Sequence, residues 1–168
     1  MLIRQKTAID ARECLDLLQR IHVVDHYPLH IGADEVPEFF ASEHEAAAWV
    51  ALEDGRIVGH VALHTPAEDP TLELAAGATG SSVDRLALLA RLFVAPDVRR
   101  SGVGRALLRH AAAQAPAMGR RAVLDVGQML HAAVALYERE GWQRVGELHL
   151  PLDDDIILDL WVYVSPAA

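Results

Sequence analysis

Apolar and polar residues follow one another along this chain in two rhythms, one of helical period and one of strand-like runs. Leu2–Lys6 reads as a short first strand, and Thr7 is placed to cap a helix whose first turn carries Asp10. Cys14, Leu15, Leu17, Leu18 and Ile21 then recur at helical spacing. Residues 22–45 turn polar and are broken by Pro28, Gly32 and Pro37, which predicts a loop with one short helix around Pro37–Phe40. Ala47–Glu53 and Arg56–His64 are apolar runs separated by Asp54-Gly55, a two-residue hairpin signal.

Residues 65–84 contain Pro, Gly, Ser and Thr with little periodicity and read as a long, flexible connection of the kind that is often functional. Leu86–Val94 is continuously apolar except for Arg91, which predicts a central strand covered on both faces and ended by Pro96. Gly102 to Ala115 reads as a helix stopped before Pro116, Arg121–Val126 as a strand, and His131–Glu140 as a helix closed by Gly141. Trp142–Leu150 and Ile156–Val164 are two final strands around an acidic turn, and the last of them is a plausible sheet edge for pairing with a second copy. The expected order is β-α-(α)-β-β-β-α-β-α-β-β, a mixed sheet with helices on both faces, in the α/β (α+β) class.

The 168 residues fit one domain over 1–168, and 52% hydrophobic with 23% charged is an ordinary globular balance. No apolar run approaches the roughly 20 residues of a membrane helix, and the N-terminus lacks a signal-like stretch, so the expectation is a cytoplasmic protein with no membrane partner. Cys14 is the single cysteine and packs on the apolar stripe of the first helix. His22, His26 and His30 repeat every four residues, but Pro28 breaks the helix that would align them, so no metal is expected.

Charge changes the picture more than composition does. The chain carries −9 overall, yet residues 85–121 hold eight arginines against one acid, Asp97, while residues 1–80 hold 5 basic and 14 acidic residues. A basic segment inside an acidic chain points to a polyanionic small ligand; nucleic acid is disfavoured because the remaining surface repels it. The basic segment contains the most informative stretch, Leu92-Phe93-Val94-Ala95-Pro96-Asp97-Val98-Arg99-Arg100-Ser101-Gly102-Val103-Gly104-Arg105-Ala106-Leu107-Leu108. A buried strand runs into a basic loop with two glycines and directly into a helix. Free N–H groups at a helix start, with the positive end of its dipole, bind anions, and arginines add charge for phosphates. The P-loop pattern fails at Arg105-Ala106 and the dinucleotide pattern fails at Leu107.

The spacing that fits is Arg/Gln-x-x-Gly-x-Gly/Ala, and with the strand before it and the Arg-Ala-Leu-Leu helix after it, this stretch resembles the coenzyme A loop of the GNAT N-acetyltransferase family. Ala133-Val134-Ala135-Leu136-Tyr137-Glu138-Arg139-Glu140-Gly141-Trp142 is similar to that family's late helix, with Trp142 where Phe is usual. The resemblance covers essentially the whole chain. It implies acetyl-CoA as co-substrate, wedged between the fourth and fifth strands. The pantetheine arm would pair with backbone around Leu92, Phe93 and Val94, and a backbone N–H near Val94 would polarise the thioester carbonyl. The diphosphate would sit on Arg99, Arg100, Ser101, Gly102, Val103, Gly104 and Arg105. Tyr137 matches the tyrosine that protonates the departing thiolate in many relatives, and core packing is its plain alternative.

The attacking amine must be neutral, and with an alkylammonium pKa near 10 only about one part in a thousand is free base at pH 7. Relatives often place a glutamate on the fourth strand; this strand has none, so the base is unassigned among His60, His64, Glu73 and His26. Leu130 stands where the family often has an asparagine seven residues before the tyrosine, which removes or replaces that coenzyme contact. The expected acceptor is a primary amine of a small molecule or peptide, drawn by Asp25, Asp34, Glu35, Glu38, Glu43 and Glu45 if these form an acidic mouth rather than a solvated surface. The alternative is a non-catalytic acyl-CoA sensor or interaction domain on the same fold. A homodimer is the expected assembly.

Overall fold

The structure is a computed structural model that describes residues 1–166. Its strands are β1 (Leu2–Gln5), β2 (Glu45–Glu53), β3 (Arg56–His64), β4 (Leu86–Val94), β5 (Arg121–Gly127), β6 (Gln143–Pro151) and β7 (Ile157–Val164). Its helices are α1 (Ala11–Asp25), α2 (Val36–Phe40), α3 (Pro70–Thr79), α4 (Val103–Gln114) and α5 (His131–Arg139). The strands form one mixed sheet of seven in the order β1-β2-β3-β4-β5-β7-β6. The β4–β5 ladder is parallel, Leu86–Leu88 against Arg121–Val123. β1/β2, β2/β3, β5/β7 and β7/β6 pair antiparallel. The α/β class and the seven-stranded mixed sheet are as the apolar pattern predicts. The described chain forms two compact units, residues 1–64 with 90–111 and residues 65–89 with 112–166, so that β4 contributes to both.

In the first unit, Asp54 and Gly55 both take left-handed backbone, with φ of 50° and 76°, the geometry a two-residue hairpin turn needs between twisted strands. Cys14, Leu17, Leu18 and Ile21 are the buried stripe of α1, and Val103, Leu107, Leu108 and Ala111 that of α4. The start of α1 is fastened at several points. Asp10 accepts from the Thr7 amide at 2.7 Å and the Thr7 hydroxyl at 3.0 Å, and takes a two-pronged guanidinium pair from Arg4 at 2.7 and 2.9 Å. Glu13 accepts from the Ile57 amide at 2.9 Å, tying the helix to β3.

The second unit closes on an apolar cluster of Leu72, Ala75, Leu86, Val123, Val162 and Val164, all fully buried. Removing such side chains from water contributes roughly 1.5–3 kcal/mol for each Val or Leu. Two expectations are corrected here. The segment 65–84 is not a flexible connection: it contains α3. The Asp69 carboxylate caps the helix by accepting from the Thr71 and Leu72 amides at 2.9 and 3.1 Å, Pro70 occupies its first turn, and left-handed Gly80 ends it. The element order therefore gains a helix between β3 and β4. The last strand is not an edge either: β7 lies between β5 and β6, and β6 takes the outer position. Gly146 of β6 permits this, because a Cβ there would come within 2.8 Å of the Leu74 side chain of α3.

Candidate active site

The predicted anion loop lies within the first unit, and its backbone is unusual where the sequence places glycine and where it does not. Arg100 has φ of 69° and Gly102 of 88°, so two left-handed residues flank Ser101 just ahead of α4. Such alternation turns successive amides toward one side and makes an anion-binding concavity. The first N–H groups of α4 have no acceptor inside the helix, and the first helical bond is Ala106 N–H to Gly102 O at 3.0 Å. A Cβ at Gly102 would meet open space, and one at Gly104 would sit 3.5 Å from the Val94 side chain. Gly102 is thus kept for its backbone angle, whereas Gly104 keeps the helix start close to the end of β4. These donors, with exposed Arg100 and Arg105 beside them, fit a diphosphate. A cleft of about 530 Å³ borders the loop at Gly102, Arg105, Ala106 and Arg109.

Arg99 is held by partners within the chain. Its guanidinium is paired with Asp25 and donates to the Val94 carbonyl at 3.4 Å, so it braces the loop against the end of α1. Ser101 is exposed, and its amide returns to the Val98 carbonyl at 3.4 Å. Val103 is buried as the first residue of α4.

Leu92, Phe93 and Val94 end β4, with Phe93 buried and its neighbours half-buried. Just before them Arg91 is left-handed at φ 55°, an arrangement that costs a non-glycine residue of order 1–3 kcal/mol and persists only where the surroundings impose it. The Arg91 carbonyl accepts from His60 Nδ1 at 2.8 Å, the Arg91 Nε donates to the Phe39 carbonyl at 3.1 Å, and its guanidinium lies 3.9 Å from the centre of the Phe39 ring. Gly59 gives α4 room on β3: a Cβ there would lie 2.7 Å from Leu107 and 3.1 Å from Val103. A glycine inside a strand was the sequence signal for this close approach. The Arg91 turn had no signal beyond a lone charge in an apolar run.

The base candidates separate clearly. His60 is fully buried, and burial holds its pKa down to about 3; it stacks on Phe93 with ring centres 4.9 Å apart. Its Nε2 lies 3.4 Å from the Lys6 ammonium, which donates to Glu45 at 2.8 Å. His64 is also buried, its pKa is lowered to about 4 chiefly by burial and then by nearby Arg91, and its Nε2 has no hydrogen-bond partner among the described residues. Rings this hard to protonate are weak bases for an ammonium, so neither fits that role. Glu73 lies exposed on α3, in the second unit. His26 is exposed and left-handed, closing α1. The acidic mouth is also partly spoken for: Asp25 pairs with Arg99, Glu35 caps Gly32, and Glu45 holds Lys6.

In the second unit Tyr137 is half-buried on α5, its ring 6.3 Å from that of Trp142 and 6.1 Å from that of Tyr163. Trp142 is buried, and its amide bonds back to the Tyr137 carbonyl at 3.0 Å, so the larger ring is accommodated where Phe is usual. Below it the Tyr163 hydroxyl donates to Glu138 at 2.8 Å and accepts from Arg144 at 3.1 Å. Leu130 stands at the N-cap of α5 and provides no side-chain cap, as its apolar side chain dictates. Among the described residues no group of three or more His, Cys, Asp or Glu could hold a metal, and no helix is long and apolar enough to cross a membrane.

The model of the Acetyltransferase (GNAT) family matches residues 12–142. The chain is 33% identical over 142 residues to N-acetyltransferase family 8 member 3 of Rattus norvegicus, covering 79% of this chain and 58% of that protein. It thus spans little more than half the length of that relative. Among solved structures, the ribosomal-protein-alanine N-acetyltransferase from Brucella melitensis superposes with a TM-score of 0.73 at 18% identity, over 99% of this chain and 100% of that one. Arabidopsis thaliana NAA60 in complex with acetyl-CoA gives 0.68 at 19% identity, over 97% and 96%. At these identities the structural likeness speaks for the fold.

Proposed function

Because this chain belongs to the GNAT acetyltransferase family, we propose that it transfers the acetyl group of acetyl-CoA to a primary amine of a small molecule or peptide, by direct attack within a ternary complex. The observation that carries the reading is the left-handed pair Arg100 and Gly102 at the head of α4. The amides of residues 100 and 102–105 hold the diphosphate, the Ser101 amide being taken by the Val98 carbonyl, and Arg100 and Arg105 add charge to it. Arg99 fixes the loop through Asp25. Backbone from Leu92 to Val94 pairs with the pantetheine arm as an added strand would, and an amide near Val94 stabilises the developing oxyanion, a contribution of about 3 kcal/mol in other enzymes. Bound acetyl-CoA supplies an activated thioester and a thiolate leaving group. Tyr137 donates a proton or hydrogen bond to that thiolate, a role matched to a phenol of pKa about 10 and a thiol near 8.5.

Two relatives support an amine acceptor, one named for alanine of a ribosomal protein and one solved with a bisubstrate analogue. No histidine of β3 fits the base, so a water path from the acceptor amine to solvent is the simplest route for its proton. The test is thiol release from acetyl-CoA with a panel of amines and N-terminal peptides, beside thermal shifts with acetyl-CoA, ATP and NAD. A shift with acetyl-CoA alone and amine-dependent thiol release support the reading. Binding without turnover on any amine would support the sensor alternative, and a preference for ATP or NAD would overturn the loop assignment.

A further inference from the structure

A buried imidazole needs both nitrogens explained. Because a carbonyl only accepts, the 2.8 Å contact with Arg91 O puts the hydrogen of His60 on Nδ1. Nε2 then carries a lone pair and faces the Lys6 ammonium at 3.4 Å. Lys6 is anchored by Glu45 at 2.8 Å and lies 4.8 Å from the Phe40 ring centre. The ring is clamped on its faces as well, near-parallel to Phe93 at 12° and edge-on to Phe40 at 5.2 Å. Glu45, Lys6 and His60 therefore form a chain of contacts that ends on the carbonyl of the one left-handed residue within β4.

We infer that His60 is a positioning residue: its Nδ1–H holds the Arg91 carbonyl in the turned conformation and thereby sets the direction of the Leu92–Val94 amides. The inference rests on the reading of Leu92–Val94 as the seat of the thioester arm. His60 touches no reacting atom. It acts through Arg91 O, and through its stack on Phe93 it fixes the same three residues from the side-chain end. A ring that only filled the core would leave the Arg91 turn indifferent to which nitrogen bears the donor.

The experiment compares His60→Asn, His60→Gln and His60→Leu. Asn sets its amide near the place of Nδ1 and keeps the donor to Arg91. Gln reaches the place of Nε2 and serves Lys6 instead. Leu keeps volume and no donor. Turnover and acetyl-CoA affinity are measured at one temperature below every melting transition, and amide chemical shifts of residues 91–94 are recorded by NMR. His60→Gln and His60→Leu are expected to lose about tenfold or more in turnover and to move the Leu92–Val94 amides, while His60→Asn stays within about threefold of the parent with its amides nearly in place, even though it leaves a larger void. Equal turnover in Asn and Gln, or greater loss in Asn, would overturn the inference. If His60→Leu does not fold, the Asn and Gln pair decides alone. If the parent protein itself neither binds acetyl-CoA nor releases thiol, the functional reading fails, and the amide shifts still test whether His60 governs the turn at Arg91.

Discussion

The two units bury very different material. The second closes on Leu72, Ala75, Leu86, Val123, Val162 and Val164, a cluster of aliphatic side chains. The first buries a lysine, two histidines and an aspartate beside its apolar stripes: Asp10, His60 and His64 are each less than a tenth exposed, and the Lys6 side chain is 12% exposed. Burying polar groups is unfavourable unless they are hydrogen-bonded, and similar volume in aliphatic carbon is often neutral or better for stability. The contrast is one of charge: among the described residues the buried polar side chains of the second unit are the uncharged Thr71 and Ser165, whereas the first unit buries ionisable groups and holds Asp10, Lys6 and His60 by hydrogen bonds.

Substitutions can break or sharpen that division. Gly102→Glu forces a side chain into backbone at φ 88° and sets a carboxylate where the diphosphate would rest, so acetyl-CoA binding by calorimetry is expected to vanish, while the backbone strain costs of order 1–3 kcal/mol and lowers the melting temperature by a few degrees without unfolding the protein. Retained binding would mean that the diphosphate lies elsewhere. Leu72→Ala in the aliphatic cluster should do the opposite, lowering stability by about 2–5 kcal/mol in chemical denaturation while folded protein keeps its coenzyme affinity. Tyr137→Phe is the change that blurs the division, since it lies in the second unit: turnover should drop about tenfold or more with coenzyme affinity unchanged. Unchanged turnover would leave Tyr137 a packing residue.

The last expectation concerns acid. His60 and His64 have pKa values of about 3 and about 4 in the fold, against 6.5 when unfolded. Below pH 6.5 the unfolded chain takes up protons that the folded one refuses. Stability is therefore full above that pH and declines as pH falls toward 4, by up to roughly 1.4 kcal/mol per pH unit for each ring. Asp10 adds to the loss lower down. Arg4 holds its carboxylate well below the usual range, so its contribution is present above about 3.8 and fades as pH drops further. Protection factors for hydrogen exchange, referred to the intrinsic rate at each pH, should fall first in residues 1–64, and His60→Asn should flatten the upper part of the curve. A pH profile indifferent to His60 would remove the buried ring from the balance.

Much of this was legible in the order of residues. The Asp54-Gly55 turn, the stripe of α1, the apolar run of β4 and the two loop glycines each carry a local signal, because turn angles and helical spacing are local properties. α3 was not legible in the periodicity because Ala75, Ala76, Gly77 and Ala78 give little amphipathic contrast, although Asp69-Pro70 and Gly80 mark both its ends. The places of β6 and β7 were not legible, since either strand could pair with β5 until Gly146 met Leu74. The Glu45–Lys6–His60 chain was hidden for another reason: its members lie 39 and 54 residues apart, and only the β1/β2/β3 pairing brings them together.

The outer strands carry a final consequence. β1 is only four residues long, and β6 presents Arg144, Glu147, His149 and Pro151 along a ladder whose register slips between Arg144 and Gly146. Short length, charge, a proline and a slipped register each make a strand a poor template for recruiting another chain. Both borders are thus ill-suited to runaway strand addition, so neither end of the sheet offers a ready main-chain template.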